Sequence, residues 1–189
     1  QDVTDEGVWQ EVIAGIADEE GGLNVLVNNA GIAIGVAVTE MSLADWQRQN
    51  AVNLDGVFLG TKHAIPLMAQ SGGGSIINIS SVAGLIGAGG LAGYCATKGG
   101  VRLFTKAVAI ECAAGDTNIR VNSVHPGIID TDIWGKEISG IAQGQPELMV
   151  EGANRINIEA FTDTLVPGGR VGQPEAVSYT HLRAHETVS

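Results

Sequence analysis

Three short strand-like runs, separated by longer helical segments, constrain the fold of this chain more than any other feature of its sequence. The runs are residues 23–27, 75–79 and 119–124, and the helical segments are residues 5–20, 50–69 and 92–113. The first run is largely apolar, as in a strand that is buried on both faces of a parallel sheet. Thr4 or Asp5 is expected to cap the first helix, and Ser42 a shorter one. This alternation predicts an α/β fold with a doubly wound parallel sheet.

Composition narrows the class of protein and its partners. A chain of 189 residues with 44% apolar residues can form one domain with a buried core, despite its 27 glycines. Its formal net charge of -11 argues against nucleic acid or an anionic membrane as a partner. No apolar run approaches the length of a membrane span. Cys95 and Cys112 fit no metal spacing and lie too far apart on one predicted helix to bridge, so a reduced, cytoplasmic setting is expected.

Tyr94 and Lys98 are four residues apart in the helical segment 92–113, so their side chains lie on one helix face. A free phenol titrates near ~10. A neighbouring ammonium and a nearby hydroxyl can lower that pKa enough for proton transfer near neutral pH. Ser81, in the loop after the second strand, is a candidate for the hydroxyl. The spacing alone is weak evidence, because an exposed helix pair with no function has the same pattern.

Several further motifs accompany this pair in a fixed order. They are Asn28-Asn29-Ala30-Gly31 after the first run, Asn53 within Asn50-Ala51-Val52-Asn53-Leu54, Ser81, and Pro126-Gly127 with Thr131 beyond. In this order and spacing the set resembles the short-chain dehydrogenase/reductase family of the single-domain type. The resemblance extends from Asp2 to about residue 177. It implies a Rossmann-like fold that binds NAD or NADP and acts on a small alcohol or ketone.

The resemblance implies a catalytic set. Tyr94 would be the acid/base that exchanges a proton with the substrate oxygen, and Lys98 would lower its pKa and bind the nicotinamide ribose. Ser81 would hold the substrate oxygen, and Asn53 would organise a water chain from Lys98 to solvent. Each of the last two has a competing neighbour, and these alternatives are Ser80 and Asn50. Family spacing to the tyrosine favours Ser81, and the Asn-Leu-x-Gly context favours Asn53.

The resemblance also implies a cofactor-binding set beyond Tyr94 and Lys98. Asp2 and Val3 resemble the end of a strand that contacts the adenine. The turn after the first run would bind the cofactor through Asn29, Ala30 and Gly31. The segment after the third run would close on the nicotinamide carboxamide through Pro126, Gly127, Ile129 and Thr131. His125 is expected to pack or to form local hydrogen bonds rather than to be catalytic. No metal site is expected, although His181 and His185 could share a helix face as ligands.

Both ends of the sequence depart from the family pattern. The chain opens at Gln1-Asp2-Val3, and no glycine-rich phosphate turn of the family type occurs in it. We therefore expect an N-terminally truncated chain that lacks the first two strands of the fold and most of the third. A divergent phosphate loop is the alternative. Residues 1–177 would form a partial domain with a substrate lid at about 130–165. Residues 178–189 lack the expected apolar periodicity and are expected to be a tail foreign to the family.

The activity that the resemblance implies is hydride transfer that interconverts a secondary alcohol and a ketone. Hydroxysteroid and cyclic-alcohol dehydrogenases are one interpretation, 3-oxoacyl-carrier-protein reductases are another, and the choice between NAD and NADP stays open. An alternative of a different class is a catalytically inactive piece that acts only at an oligomer interface. An intact family member is expected to form a homodimer or homotetramer through the two long helices. The chain by itself is expected to bind cofactor poorly.

Overall fold

A computed structural model describes residues 1–142, 145–153, 155–166 and 168–182 of the chain. In this part a three-stranded parallel sheet runs in the order β1-β2-β3. The strands are β1 Val25–Asn28, β2 Gly74–Ile79 and β3 Ile119–Val124. Their register aligns Val27 with Ile77 and Ile77 with Asn122. The predicted α/β fold with a parallel sheet is confirmed.

In the described part of the chain, four helices precede or connect the strands and two more follow them. They are α1 Glu6–Glu20, α2 Leu43–Asn50, α3 Gly56–Gln70, α4 Ala92–Ala114, α5 Ile158–Leu165 and α6 Pro174–Leu182. Helices α2 and α3 are continuous through a π-helical turn, Ala51–Asp55, whereas the sequence predicted two separate segments. Within the described residues, no helix is both long and apolar enough to cross a membrane.

Side-chain caps define where the helices begin. The Asp5 carboxylate accepts hydrogen bonds from the backbone N–H groups of Gly7 and Val8, at 2.8 and 3.3 Å. The Ser42 hydroxyl accepts one from Asp45 at 3.0 Å. Such bonds satisfy N–H groups that have no partner within the helix. The predicted caps at Asp5 and Ser42 are therefore confirmed, and Asp5 rather than Thr4 is the N-cap residue of α1.

The main core lies between one face of the sheet and helices α1, α3 and α4. Its buried residues are Ala64, Met68, Ile76, Val108, Cys112, Ile119 and Val121. On the opposite face of β1, Val25 and Val27 are 58% and 51% exposed. The prediction that this strand is buried on both faces is wrong, because β1 is an edge strand and the helices that contact it pack on one side.

A second apolar cluster forms beyond β3, in the region of the predicted substrate lid. Three short 3₁₀ helices, Asp132–Trp134, Lys136–Ala142 and Pro146–Leu148, precede α5 here. Their buried residues pack with Ala33 and Leu91, which belong to the loops after β1 and β2. A backbone hydrogen bond of 2.8 Å from Gly35 to the carbonyl of Glu137 also joins the two regions.

The structure describes only part of the predicted C-terminal tail. Helix α6, Pro174–Leu182, continues into the segment that the sequence analysis assigned to a foreign tail. Residues 183–189, with His185, lie outside the described residues. In the described residues, no group of three or more His, Cys, Asp or Glu side chains could hold a metal ion.

A buried polar network lies beneath the carboxyl edge of the sheet. The Asn28 amide donates to the Asn78 side-chain oxygen at 2.8 Å and to the Thr61 hydroxyl at 3.2 Å. Asn78 donates in turn to the Thr105 hydroxyl at 3.0 Å. Buried polar groups require partners of this kind, so the network fixes β1, β2, α3 and α4 relative to one another.

We expect Asn78→Leu to lower the free energy of unfolding by about 3 kcal/mol, because it leaves buried polar groups of Asn28 and Thr105 without their partner. Urea denaturation followed by circular dichroism measures this change. Asn122→Leu, on the exposed face of β3, is the matched control. Equal stability of the two variants would contradict a structural role for the network.

Candidate active site

The candidate site lies where the three strands end. β1, β2 and β3 finish at Asn28, Ile79 and Val124, and in parallel α/β sheets ligands bind beyond this edge. Ser81 lies two residues after the end of β2, and the start of α4 carries Tyr94 and Lys98. The structure thus brings the residues that the sequence analysis assigned to catalysis to one edge of the sheet.

Tyr94 is partly buried in the first turn of α4, next to Ser81. Burial raises the pKa of the Tyr94 phenol, because it disfavours the charged phenolate, while the Ser81 side chain acts in the opposite direction. The Ser81 hydroxyl also accepts a hydrogen bond from the backbone N–H of Ala83 at 3.1 Å. Ser81 therefore acts on Tyr94 from a position that its own loop holds.

Lys98 is almost completely buried, with 3% of its surface exposed. Its ammonium donates to the backbone carbonyl of Ile79 at 2.8 Å and lies 5.7 Å from the centre of the Tyr94 ring. Burial lowers the pKa of Lys98 to about 8, since the charged form is poorly solvated there.

The electrostatics differ from the expectation that Lys98 would lower the pKa of Tyr94. The dominant influence on Tyr94 is its burial, and the group that lowers its pKa is Ser81. The reason is that burial lowers the pKa of Lys98 to about 8, so its side chain is already neutral at the higher pH where the Tyr94 phenol titrates. In the protein alone, both side chains are therefore shifted toward their neutral forms.

Asn53 lies in the π-helical turn and is fully buried. Its side-chain oxygen accepts from the backbone N–H of Ile32, and its amide donates to the Ile32 carbonyl, both at 2.8 Å. The same amide donates to the Thr97 hydroxyl at 3.0 Å. One side chain therefore joins the loop after β1 to the helix that carries Tyr94 and Lys98.

The two competing residues are used elsewhere. The Ser80 hydroxyl is buried and donates to the Lys98 carbonyl at 2.8 Å, so it supports the backbone of α4. The Asn50 amide donates to the Trp46 carbonyl at 2.8 Å within its own helix. Neither geometry matches the roles that the sequence analysis left open for them.

The turn after β1 comes close to the Lys98 ammonium. A β-carbon on Gly31 would lie 3.2 Å from Lys98 Nζ and 3.4 Å from the Asn53 side-chain oxygen. Any larger residue would therefore fill the space above these two groups. Asn29 and Ala30, the other residues predicted for this turn, are exposed beside it. The turn therefore packs closely over Lys98 and Asn53.

The remaining predicted cofactor residues lie on two other segments. The Pro126 carbonyl accepts from Val82 at 3.0 Å, and the Ile129 carbonyl accepts from the Trp134 indole at 2.7 Å. Gly127 lies between them, and Thr131 precedes the 3₁₀ helix Asp132–Trp134 in extended conformation. This segment therefore begins beside the Ser81 loop and continues into the second apolar cluster.

Asp2 and Val3 lie near the start of α3. The Asp2 carboxylate accepts from the backbone N–H and the hydroxyl of Thr4, at 2.9 and 2.8 Å, and these bonds lower its pKa. The Val3 carbonyl accepts from the Trp9 indole at 3.0 Å, and its side chain packs against Gly56. Asp2 is positioned by its bonds to Thr4, and Val3 by its contacts with α1 and α3.

Sequence reasoning missed Thr97, which is fully buried between Asn53 and Tyr94. Its hydroxyl donates to the Tyr94 carbonyl at 2.9 Å while it accepts from the Asn53 amide. A hydroxyl residue three positions after a helical residue can form such a backbone bond, so the sequence contained a signal for the first contact. The contact with Asn53 joins residues 44 positions apart and had no local signal.

The chain belongs to the short-chain dehydrogenase family, since the family profile described as short chain dehydrogenase matches residues 1–141. It is 36% identical over 179 residues to the NADP-dependent (R)-specific alcohol dehydrogenase of Lentilactobacillus kefiri, covering 94% of this chain and 65% of that enzyme. It is 48% identical over 130 residues to the cyclopentanol dehydrogenase of Comamonas testosteroni, covering 69% and 51%. The predicted family is thereby confirmed.

The fold is also similar to that of a solved member. The crystal structure of a gluconate 5-dehydrogenase from Burkholderia cenocepacia, in complex with NADP and tartrate, matches with a TM-score of 0.78 and 30% sequence identity. The match covers 97% of this chain and 65% of that one. The chain spans about half to two thirds of the length of the curated relatives described above.

We expect the buried Lys98 ammonium to make stability rise with pH. Its pKa falls from 10.5 to about 8 on folding. Between those two pH values Lys98 is protonated in the unfolded chain and neutral in the folded protein. The free-energy cost of burying the ammonium is therefore fully present below pH 8 and is relieved as the pH rises. Across this pH range, the free energy of unfolding of the unsubstituted protein should rise by about 3 kcal/mol relative to that of Lys98→Met.

Urea unfolding at a series of pH values measures this difference. Lys106→Met, at an exposed lysine on the same helix, is the matched control. Parallel stability profiles of the protein and Lys98→Met would show that the ammonium is not destabilised by burial.

Proposed function

We propose that the chain is the catalytic part of an NAD- or NADP-dependent oxidoreductase that interconverts a secondary alcohol and a ketone. The observation that carries this proposal is the convergence of Ser81, Tyr94 and Lys98 at the carboxyl edge of the sheet, with Gly31 close to Lys98. Its relatives named as alcohol and cyclopentanol dehydrogenases support the same reaction class.

Each side chain has a defined task in this mechanism. Tyr94 gives its phenolic proton to the carbonyl oxygen in reduction and takes one from the hydroxyl in oxidation. Ser81 orients the substrate oxygen and stabilises the phenolate by hydrogen bonding. Lys98 holds a ribose hydroxyl with the N–H groups not used on Ile79, and its charge favours the phenolate whenever both are charged. Asn53 keeps the loop and α4 in register.

A nicotinamide dinucleotide, when bound, supplies or accepts the hydride. Lys98 and the turn Asn29, Ala30 and Gly31 would hold its nicotinamide ribose. The segment with Pro126, Gly127, Ile129 and Thr131 would hold the carboxamide, and Asp2 and Val3 would lie at the adenine. The NADP-dependent relative and the NADP-bound neighbour support a cofactor of this kind.

The substrate in this proposal is a neutral, largely apolar alcohol, such as a cyclic alcohol or hydroxysteroid. Tyr94 and Cys95 pack against the second apolar cluster, which includes Leu91 and Ile138. We assign residues 130–165 to a lid that covers this face. Two carboxylates, Asp132 and Glu137, line a neighbouring cleft of about 280 Å³. Together with the net charge of -11, they disfavour an acidic carrier protein and hence the 3-oxoacyl-carrier-protein reductase alternative.

Two supporting proposals concern the setting of the protein. The outer faces of α3 and α4 expose Phe58, Leu103 and Ile110, of which Leu103 is 60% and Ile110 71% exposed. We infer that copies associate through these helices, because apolar side chains of this size favour burial. The free thiols Cys95 and Cys112 support a cytoplasmic location.

We expect Tyr94→Phe to lower kcat about a thousandfold, because the phenol that exchanges the proton is removed. Cofactor affinity should change little, since the ring and Lys98 remain. The measurement is oxidation of cyclopentanol and reduction of cyclopentanone, followed by nicotinamide absorbance, in a protein that contains this chain. Calorimetric titration with NADH and NADPH reports the affinity.

Two results would count against the proposal. Near-normal turnover by Tyr94→Phe would refute the acid/base role. If neither the chain nor a longer protein that contains it shows turnover, the alternative of an inactive piece that acts at an oligomer interface would describe the chain better. Glu19→Gln, at an exposed residue near the end of α1, is a control for nonspecific effects of substitution.

We expect the double variant Leu103→Lys and Ile110→Lys to be monomeric at concentrations where the unsubstituted chain associates. Charged side chains at these positions resist burial against a second copy. Sedimentation velocity measures the mass of both forms. Identical sedimentation of the two would show that this face is not the interface.

A further inference from the structure

His125 connects the end of β3 to the backbone of Ser81. One ring nitrogen, Nδ1, lies 3.1 Å from the Ser81 carbonyl oxygen, and Nε2 lies 2.9 Å from the Ser123 hydroxyl. The ring is partly buried between these two segments. It is therefore held at both nitrogens by partners that belong to different strand ends.

These partners determine which nitrogen carries the proton. A carbonyl oxygen can only accept, so Nδ1 must donate to Ser81. In the neutral ring Nε2 then has a lone pair, which accepts from the Ser123 hydroxyl. The opposite neutral tautomer would turn a lone pair of Nδ1 toward the Ser81 carbonyl oxygen, and the two would repel. The Nδ1–H tautomer is the neutral form that this geometry permits.

The contact acts on the most important backbone segment of the site. On either side of Ser81, the backbone N–H of Ser80 donates to Val124 at 2.8 Å, and that of Val82 donates to Pro126 at 3.0 Å. The Ser81 carbonyl also accepts from the backbone N–H of Gly84 at 2.9 Å, and His125 adds a second donor to that same oxygen. The Ser81 side chain, held by this peptide, is the group that lowers the pKa of Tyr94.

We propose that His125 is a positioning residue, whose Nδ1–H bond to the Ser81 carbonyl fixes the Ser81 hydroxyl against the Tyr94 phenol. The importance of this contact for catalysis rests on the proposed function. The contact itself does not, and it can be tested without cofactor or turnover.

Three substitutions distinguish the effect of losing the hydrogen bond from the effect of losing the volume of the ring. An asparagine amide can occupy the place of Nδ1, so His125→Asn can keep the donation to Ser81. A glutamine amide reaches the place of Nε2, so His125→Gln can keep only the Ser123 contact. His125→Leu has neither. The control is His63→Asn on α3, where the ring nitrogen Nε2 lies 3.0 Å from a Glu6 oxygen, in a pair remote from the site.

The first measurement is the tautomer of His125. Long-range ¹H–¹⁵N correlation spectra at alkaline pH, where imidazole rings are neutral, distinguish the two tautomers. The chain contains four histidines, and the resonance lost in His125→Asn identifies the relevant ring. We expect the Nδ1–H pattern. The Nε2–H pattern would overturn the proposal.

The second measurement is the ionisation of Tyr94, followed by phenolate absorbance in a Tyr179→Phe background, which leaves Tyr94 as the single tyrosine. We expect an acid ionisation constant about threefold lower in His125→Leu and His125→Gln, because the Ser81 hydroxyl is no longer held. His125→Asn should restore the original value. Ser81→Ala gives the full effect of losing the hydroxyl.

The variants are compared only after circular dichroism shows that they are folded. If His125→Leu does not fold, the comparison of His125→Asn with His125→Gln tests the role of the Nδ1–H bond. Equal Tyr94 titrations in that pair would overturn the proposal. The protein could show no turnover and yet show the Nδ1–H signal and a Tyr94 titration that His125→Asn restores. That result would support the positioning role of His125 and would count only against the proposed activity. In an active protein, His125→Gln should lower kcat more than it changes KM.

Discussion

The side-chain amide of Asn53 holds the loop after β1 and helix α4 together, and the arrangement of the candidate site depends on it. Its hydrogen bonds reach both backbone groups of Ile32 and the hydroxyl of Thr97. These groups are largely buried, so losing the amide would leave several of them unsatisfied at once. The π-helical turn that carries Asn53 interrupts the regular backbone pattern of the helix, as such turns often do at functional sites.

Burial governs the chemistry of the two central side chains. It raises the pKa of Tyr94 and lowers that of Lys98, so each is shifted toward its neutral form. A phenolate and an ammonium that form together offset part of this penalty through their attraction. The site therefore disfavours either charge alone, and Ser81 is the neighbouring group that stabilises the phenolate. In the proposed proton exchange, the position of the Ser81 hydroxyl and of the backbone beneath it would therefore be important.

The sheet supports the site through polar contacts as well as apolar packing. The network from Asn28 through Asn78 to Thr105 lies directly below the carboxyl edge, while the apolar core lies farther along the same face. The opposite face of β1 exposes Val25 and Val27. The site residues are accordingly anchored to the covered face, which the described helices stabilise, and the similarity to longer family members extends over the same elements.

The sequence by itself determined the elements, their parallel order and the family, because caps, apolar runs and the spacing of Tyr94 and Lys98 are local patterns. It also indicated Ser81 and Asn53 through their motifs. Only the tertiary structure decided what these side chains contact. The bonds from Asn53 to Thr97, from Lys98 to Ile79 and from His125 to Ser81 join residues 44, 19 and 44 positions apart. Tertiary packing also set the direction of the Tyr94 pKa, since burial is a property of the whole fold and raises this pKa above its ordinary value.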